Sequence, residues 1–466
     1  MNEVNPYIFR EYDIRGVVGV GKDLSADLFQ DLGQAFAAHL RAECHRESLS
    51  VVVGRDGRNS SPMLADALIQ GLVKGGLDVT DIGLVPTPAL YFAAQHLQTD
   101  AGIMITGSHN PPDYNGLKMV RAGKPIFGAE IQALKRRLLA QNFPAIPGGR
   151  VLQYQVLEEY IHCIAQDFHP GRELKVILDC GNGATGVVAR HLLQLLPGIQ
   201  GEVLFDDVDG NFPNHHPDPT VPENLTAMAA RIQATGADLG IAFDGDGDRI
   251  GVLDEKGRIL WGDLLMVLFA RSILAKDPGA AVIGDVKCSQ LLFDAVAKAG
   301  GEPIMWKTGH SLIKDKMRET GAPLAGEMSG HLFFADRYFG FDDALYAAMR
   351  LMELAAETTD SISEQLSDLP EVFASPELRI PCTDEQKFEV MERVLANLRE
   401  AGADLSDIDG ARVRMEDGWW LLRVSNTQPI LVVRAEAKST ARLNEILAGV
   451  AAILEAEKVV FPNWRA

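Results

Sequence analysis

Three times along the chain, a short run of β-branched and aliphatic residues gives way to a glycine- and aspartate-containing loop and then to a helical apolar pattern. Residues 51–53 (Val-Val-Val) lead through Gly54-Arg-Asp-Gly-Arg58 into a helix expected near 61–75. Residues 176–178 lead through Asp179-Cys-Gly-Asn-Gly183 to a helix near 187–196, and residues 282–283 through Gly284-Asp-Val-Lys-Cys-Ser289 to one near 290–299. Apolar runs without polar alternation describe strands covered on both faces, and helices that return after each strand supply that cover. The pattern predicts α/β units. It recurs at intervals of roughly 100 residues, an ordinary domain length, so three related mixed α/β domains are expected. The last hundred residues differ. A helix at 384–401, strand-like runs at 418–424 and 430–435, and a final helix at 440–456 predict a smaller C-terminal α+β domain with antiparallel strands. The stretch 358–377 carries Ser, Asp and Pro and few apolar residues, as a linker or hinge does. The expected divisions are 1–150, 151–256, 257–368 and 369–466.

The formal net charge of the 466 residues is −20. A uniformly acidic body argues against nucleic acid or an anionic membrane as partner, since both need a cationic face. An anionic small molecule stays possible if a local basic cleft lies inside the acidic shell. The five cysteines (Cys44, Cys163, Cys180, Cys288, Cys382) are far apart and odd in number. This reads as reduced thiols, not a disulfide or zinc framework. The first 16 residues contain no apolar signal core, and no run of 18 apolar residues occurs, so a soluble cytoplasmic protein is expected.

Several segments carry chemistry. In Thr106-Gly-Ser-His-Asn-Pro-Pro112, Ser108 sits on a loop leaving an apolar run. The segment fits equally a polar Asx-type turn or a loop that holds a hydroxyl forward as a nucleophile. Asp244-Gly-Asp-Gly-Asp-Arg249 places three carboxylates at alternate positions. They repel strongly when close unless a cation sits between them, and an oxygen-only set favours Mg²⁺. Glu255 falls at the twelfth position of an EF-hand-like count, but Arg249 stands where that loop needs Gly and a strand follows in place of an exit helix. A serine nucleophile and a divalent metal suggest phosphoryl transfer, which proceeds mainly by positioning and charge neutralisation. Candidate phosphate-binding groups are Arg15, Lys118, Arg249, Lys287, His310 and Arg423. In Arg423-Val-Ser-Asn-Thr-Gln-Pro429 the donors of Arg423, Ser425, Asn426 and Thr427 could wrap one phosphate, or form an ordinary hairpin turn. In Gly326-Glu-Met-Ser-Gly-His331, Glu327 and Ser329 could bond adjacent sugar hydroxyls, while His331 is either a proton shuttle or structural. Gly16-Val-Val-Gly-Val-Gly-Lys22 approaches a P-loop, but Asp23 replaces the required Ser or Thr, and no nucleotide site is expected.

Taken together and in order, TGSHNPP, DGDGDR, GEMSGH and RVSNTQP resemble the motifs of the α-D-phosphohexomutase superfamily over essentially the whole chain. The match is nearest its bacterial phosphomannomutase/phosphoglucomutase branch, and GNFPNHHPDP (210–219) and MWKTGHSLIK (305–314) strengthen that placement. The resemblance implies four domains around a central cleft. It implies reversible phosphoryl transfer between C1 and C6 of glucose and mannose phosphates, through a phosphoserine and a hexose 1,6-bisphosphate, with glucose 1,6-bisphosphate as activator. In this reading Ser108 carries the phosphoryl group and, with Asp244, Asp246 and Asp248, holds Mg²⁺. Lys118 and His331 transfer protons, with Arg249 and His109 nearby. Glu327 and Ser329 bind sugar hydroxyls. Arg423, Ser425, Asn426 and Thr427 hold the non-reacting phosphate, and Tyr12, Arg15, Lys287 and His310 complete the cleft. The resemblance also implies a monomer. Gln428 departs from the Glu common in the fourth motif, with its phosphate-binding neighbours intact. Asn426 and Met328 favour the mannose/glucose branch over phosphoglucosamine mutases. The alternatives are a phosphoglucosamine mutase and a sugar phosphatase that hydrolyses its phosphoserine.

Overall fold

The β-branched runs form the centres of three sheets. The computed structural model describes residues 4–46, 48–425, 428–462 and 464. In the first sheet Ser50–Arg55 lies between the parallel strands Asp78–Leu84 and Ala101–Ile105. Val51, Val52 and Val53 are completely buried there, as strands covered on both faces require. Tyr114–Arg121 then turns back antiparallel to Ala101–Ile105, and Ile14–Val17 closes that edge. The opposite edge is Val151–Gln153, parallel to Asp78–Leu84. The first sheet therefore runs past residue 150, because the edge of Asp78–Leu84 has backbone donors to satisfy.

The second sheet places Leu174–Asp179 between parallel Ile199–Leu204 and Leu239–Phe243, with Ile250–Asp254 antiparallel. In the third, Ala281–Asp285 lies between parallel Glu302–Trp306 and Leu324–Gly326, with Leu332–Phe334 antiparallel. All three sheets thus share one joint, where a parallel strand ends and the next strand returns antiparallel. The loops at these joints are 106–113, 244–249 and 327–331. The fourth sheet is wholly antiparallel, with Gly418–Val424 between Ala411–Met415 and Ile430–Ala437, and it is packed by the helices Asp384–Glu400 and Thr440–Ala456.

One continuous apolar core runs through the first three sheets. At its centre is the helix Ala344–Ala356, all of whose residues are buried, its one polar stripe of Tyr346, Arg350 and Glu353 being closed by Arg350 pairing with Asp336 and Glu353 with Arg337. The C-terminal unit has a separate core, and the two meet where Trp419 and Leu421 pack on Val286. The segment between them holds one helical turn, Ile362–Gln365, fixed by a reciprocal capping box of Ser361 and Glu364. Its short strand Phe373–Ala374 then joins the fourth sheet. All five cysteines are free thiols, and no helix among the described residues is long and apolar enough to cross a membrane.

Candidate active site

The first joint presents Ser108. Its φ of +48° lies in the left-handed region, where a residue with a Cβ is held only by its surroundings. Thr106 Oγ1 accepts from the Ser108 N–H at 2.8 Å. Ser108 Oγ donates to Asp244 Oδ2 at 2.9 Å and lies 3.2 Å from His109 Nδ1. The second joint is packed directly against it. A Cβ at Gly245 would fall 2.5 Å from the Ser108 carbonyl oxygen, so glycine there is what allows the two loops to approach.

Asp244, Asp246 and Asp248 are fully buried, and one oxygen from each lies within 4.8 Å of the others. Asp244 Oδ1 accepts from the backbone N–H groups of Gly247 (3.0 Å), Asp248 (3.1 Å) and Arg249 (3.2 Å). Asp246 Oδ2 accepts from Thr87 Oγ1 (2.6 Å), Thr106 Oγ1 (3.1 Å) and Lys118 Nζ (2.7 Å). Lys118, on the strand Tyr114–Arg121, also pairs with Asp248 Oδ2. Burial works against its ammonium, but Asp246 and Asp248 outweigh burial and hold its pKa above the ordinary value. Burial, then the charges of Asp246 and Asp248, push the Asp244 carboxyl well up. Asp246 Oδ1 has no hydrogen-bond donor, and Asp248 Oδ1 faces only His331 Nε2, 3.4 Å away. Buried carboxylate oxygens without donors are costly, and a cation removes that cost. The hard, oxygen-only donor set fits Mg²⁺.

The third joint carries Glu327, Ser329 and His331. Glu327 Oε1 accepts from the Gly309 N–H at 2.6 Å, and Oε2 accepts from Ser329 Oγ and His331 Nδ1, both at 2.9 Å. Burial opposes the charge on His331, but Asp248 and Glu327 bring its pKa up to about 9. Its Nε2 lies 3.3 Å from Arg249 Nε and 3.4 Å from Asp248 Oδ1. A protonated ring cannot accept from arginine, so in the imidazolium form Nε2–H turns to Asp248. His310 stacks on His331 with ring centroids 5.6 Å apart, and burial followed by Lys314 lowers its pKa to about 4. Tyr12 OH donates to the Thr308 carbonyl at 3.1 Å, which brings the N-terminal segment to the same loop.

The C-terminal unit adds cations. Arg423 Nε donates to Asp409 Oδ2 at 3.0 Å, and the same oxygen accepts from the Thr308 N–H at 3.1 Å. Buried Lys387 donates to the carbonyls of Ser425 (2.8 Å) and Gln428 (3.0 Å), and so anchors the candidate phosphate loop. Lys287 lies 3.3 Å from Glu377, whose carboxyl it holds at about 2.

These contacts bring Ser108, His109, Lys118, the three aspartates, Arg249 and His331 into one connected group. Glu327, Ser329, His310 and Tyr12 adjoin it through His331 and the 308–309 backbone. Arg15 joins from the other side, donating to the Gly107 carbonyl at 2.9 Å and to Asn110 Oδ1 at 2.7 Å. Arg423 and Ser425 sit on the fourth sheet and its following loop; Asn426 and Thr427 lie outside the described residues. Sequence reasoning missed Arg58, Thr87, Lys387 and Asp409. Only Arg58 had a local signal, its place in the GRDGR loop. The two rejected motifs have structural uses. Asp23 accepts from the Val17 N–H at 3.0 Å and from Asn5 at 2.7 Å, stapling its own loop. Glu255 binds Ser363 and takes no part in the acidic loop.

Four family models cover most of the chain: phosphoglucomutase/phosphomannomutase α/β/α domain I at residues 6–145, domain II at 158–257, domain III at 261–373, and the C-terminal domain at 377–453. The phosphomannomutase/phosphoglucomutase of Pseudomonas putida is 49% identical over 94% of this chain and 93% of its own length. That of Pseudomonas aeruginosa is 47% identical over the same shares. A crystal structure of a phosphoglucomutase/phosphomannomutase family protein from Burkholderia thailandensis superposes with a TM-score of 0.91, at 46% identity, covering 98% of this chain and all of that one.

Proposed function

This chain belongs to the α-D-phosphohexomutase superfamily, in its bacterial phosphoglucomutase/phosphomannomutase family, and we propose that Ser108 carries the phosphoryl group it moves between C1 and C6 of glucose and mannose phosphates. The observation that carries the assignment is the position of Ser108 Oγ, held in a left-handed loop 2.9 Å from the first of three buried aspartates. In the forward direction the free 6-hydroxyl of a hexose 1-phosphate attacks the phosphorus on Ser108. The O6–P bond forms, the Ser108 Oγ–P bond breaks, and a 1,6-bisphosphate results. After the sugar turns around, Ser108 Oγ attacks the phosphorus at C1, the O1–P bond breaks, and the 6-phosphate leaves.

The residues divide this work. Lys118 and His331 stand beside the acidic loop in their protonated forms, so each can give a proton to the oxygen leaving phosphorus and, once it has done so, take the proton of an attacking hydroxyl. Arg249, whose charge is held by Asp244, Asp218 and Asp248, neutralises charge on the transferring group. A Mg²⁺ ion held by Asp244, Asp246, Asp248 and the phosphoserine would supply Lewis-acid charge neutralisation at the transferring phosphoryl group. Glu327 and Ser329 read sugar hydroxyls other than O2, so both C2 epimers fit. Glucose 1,6-bisphosphate activates by phosphorylating Ser108.

Arg423, with Ser425, Asn426 and Thr427, holds the phosphate that is not reacting. The Arg423→Ala variant should raise KM for glucose 1-phosphate by about 10–100-fold, as expected for loss of a charge-assisted phosphate contact, with a smaller change in kcat. Steady-state kinetics check this, and an unchanged KM would take Arg423 out of the site.

The function itself is tested by kcat/KM on glucose 1-phosphate and mannose 1-phosphate with Mg²⁺ and a trace of glucose 1,6-bisphosphate. Comparable formation of both 6-phosphates is the expected result. Turnover of neither, with turnover of glucosamine phosphates, would replace the substrate assignment. Release of free phosphate without need of the bisphosphate would replace the reaction.

A further inference from the structure

Beneath the Ser108 loop lies an arginine whose side chain touches no reacting atom. Arg58 follows the strand Ser50–Arg55 and is 2% exposed. Its two terminal nitrogens donate four hydrogen bonds, all to one loop. Nη2 donates to the carbonyls of Ser108 (2.7 Å) and Asn110 (2.6 Å), and Nη1 to those of Pro111 (2.5 Å) and Tyr114 (2.9 Å). The carbonyls between are taken by other side chains: Gly107 by Arg15 at 2.9 Å, and His109 by His216 Nε2. From 107 to 111, every carbonyl of the loop therefore accepts from an arginine or an imidazole. Asp56 completes the grip, accepting from the Gly107 N–H at 3.0 Å and lying 3.2 Å from Arg58 Nε. The loop rests on the guanidinium itself, since a Cβ at Gly107 would fall 2.4 Å from Arg58 Cζ.

The clamp is closed from the second domain. Phe212 lies under the Arg58 guanidinium, its ring centroid 5.3 Å away. Gly210 passes so close that a Cβ there would fall 2.5 Å from the Asn59 nitrogen. The segment Gly210-Asn-Phe-Pro-Asn-His-His216, to which the phosphoryl chemistry assigns no task, thus packs against the back of the clamp.

We propose that Arg58, sealed by Phe212, is a positioning residue for phosphoryl transfer: by gripping the loop carbonyls it fixes the left-handed turn at Ser108 and so the direction of Ser108 Oγ. The inference rests on the reading of Ser108 as phosphoryl carrier. A left-handed serine costs roughly 1–2 kcal/mol, and a loop of Gly, Ser, His and Asn has other conformations available unless its peptide planes are held. One serine must serve both ends of the sugar, so an error in its direction impairs both transfers. A planar guanidinium reaches four carbonyls at fixed angles, which an ammonium cannot.

The test compares the full-length wild type with Arg58→Lys, Arg58→Ala and Phe212→Leu, with Mg²⁺ and trace glucose 1,6-bisphosphate. It reads kcat, KM for glucose 1-phosphate, and Tm. Arg58→Lys should lower kcat about 100-fold, as a misplacement near 1 Å does, with KM within about threefold of wild type. Millimolar guanidinium chloride should restore part of the lost kcat of Arg58→Ala, which a merely structural loss would not show. Wild-type kcat in Arg58→Lys overturns the proposal, as does a loss that follows Tm and gains nothing from guanidinium. Should the Arg58 variants not fold, Phe212→Leu decides, because it keeps the carbonyl bonds and loosens only the seal. It should lower kcat about tenfold at unchanged KM, and an unchanged kcat overturns the proposal. A Ser108→Ala variant that keeps turnover refutes the reading of Ser108; an active wild type with unimpaired Arg58 and Phe212 variants refutes the clamp alone.

Discussion

The Ser108→Ala variant should fold and lose at least about ten-thousandfold in kcat, the scale seen when a covalent nucleophile is deleted. The expectation follows from where Ser108 Oγ stands, between Asp244 Oδ2 at 2.9 Å and His109 Nδ1 at 3.2 Å. The neighbouring hydroxyls are committed elsewhere. Thr87 Oγ1 and Thr106 Oγ1 donate to Asp246, and Ser329 Oγ to Glu327. Folding should survive, because alanine tolerates the left-handed turn no worse than serine and one hydrogen bond is worth about 1 kcal/mol. Coupled kinetics measure the loss, thermal unfolding checks the fold, and intact mass after exposure to glucose 1,6-bisphosphate should reveal no phosphoryl adduct. Activity within tenfold of wild type would move the phosphoryl carrier elsewhere.

Chelation of divalent cations should abolish turnover, and Mg²⁺ should restore it. Three buried carboxylates within 4.8 Å are offset in part by Lys118, His331 and three backbone N–H groups, and Asp246 Oδ1 lacks a donor. A cation bound to the native state alone stabilises it by about 2.7 kcal/mol at a hundredfold excess over Kd. Mg²⁺ should therefore raise Tm in the wild type. Asp246→Asn should lose that rise and lower kcat about a thousandfold, since charge neutralisation is the main contribution of such a site. Full activity in chelator, or a Tm indifferent to Mg²⁺ in the wild type, would remove the metal from this loop.

The acidic loop could be read from the chain because its geometry is local. Alternating Asp and Gly in six residues suffices to aim three carboxylates the same way. The same is true of the buried strand at 51–53 and of the C-terminal helices and strands at 418–424 and 430–437, although the strands Leu405–Ser406 and Ala411–Met415 that precede them in the fourth sheet were not read. The helix Ala344–Ala356 was not read from the chain: its polar stripe is only Tyr346, Arg350 and Glu353 in an otherwise apolar stretch, and the partners that bury Arg350 and Glu353, Asp336 and Arg337, come from outside the helix. The groups that hold the site in shape were hidden for a different reason. Arg58 reaches Asn110 across 52 positions, Lys387 reaches Ser425 across 38, and Asp409 accepts from Thr308 across 101. In the sequence Lys387 and Asp409 are each one more charged residue, and the GRDGR loop that holds Arg58 does not say what the arginine reaches.

The sequence alone determined the strand-forming runs and the alternation of Asp and Gly in the acidic loop, because each depends on neighbours only a few residues away. The tertiary structure decided that the three site loops occupy the same parallel-to-antiparallel joint of three different sheets. It also decided which charges are buried and what they hold, since desolvating an arginine or lysine is tolerable only where distant segments bring carbonyls and carboxylates to meet it.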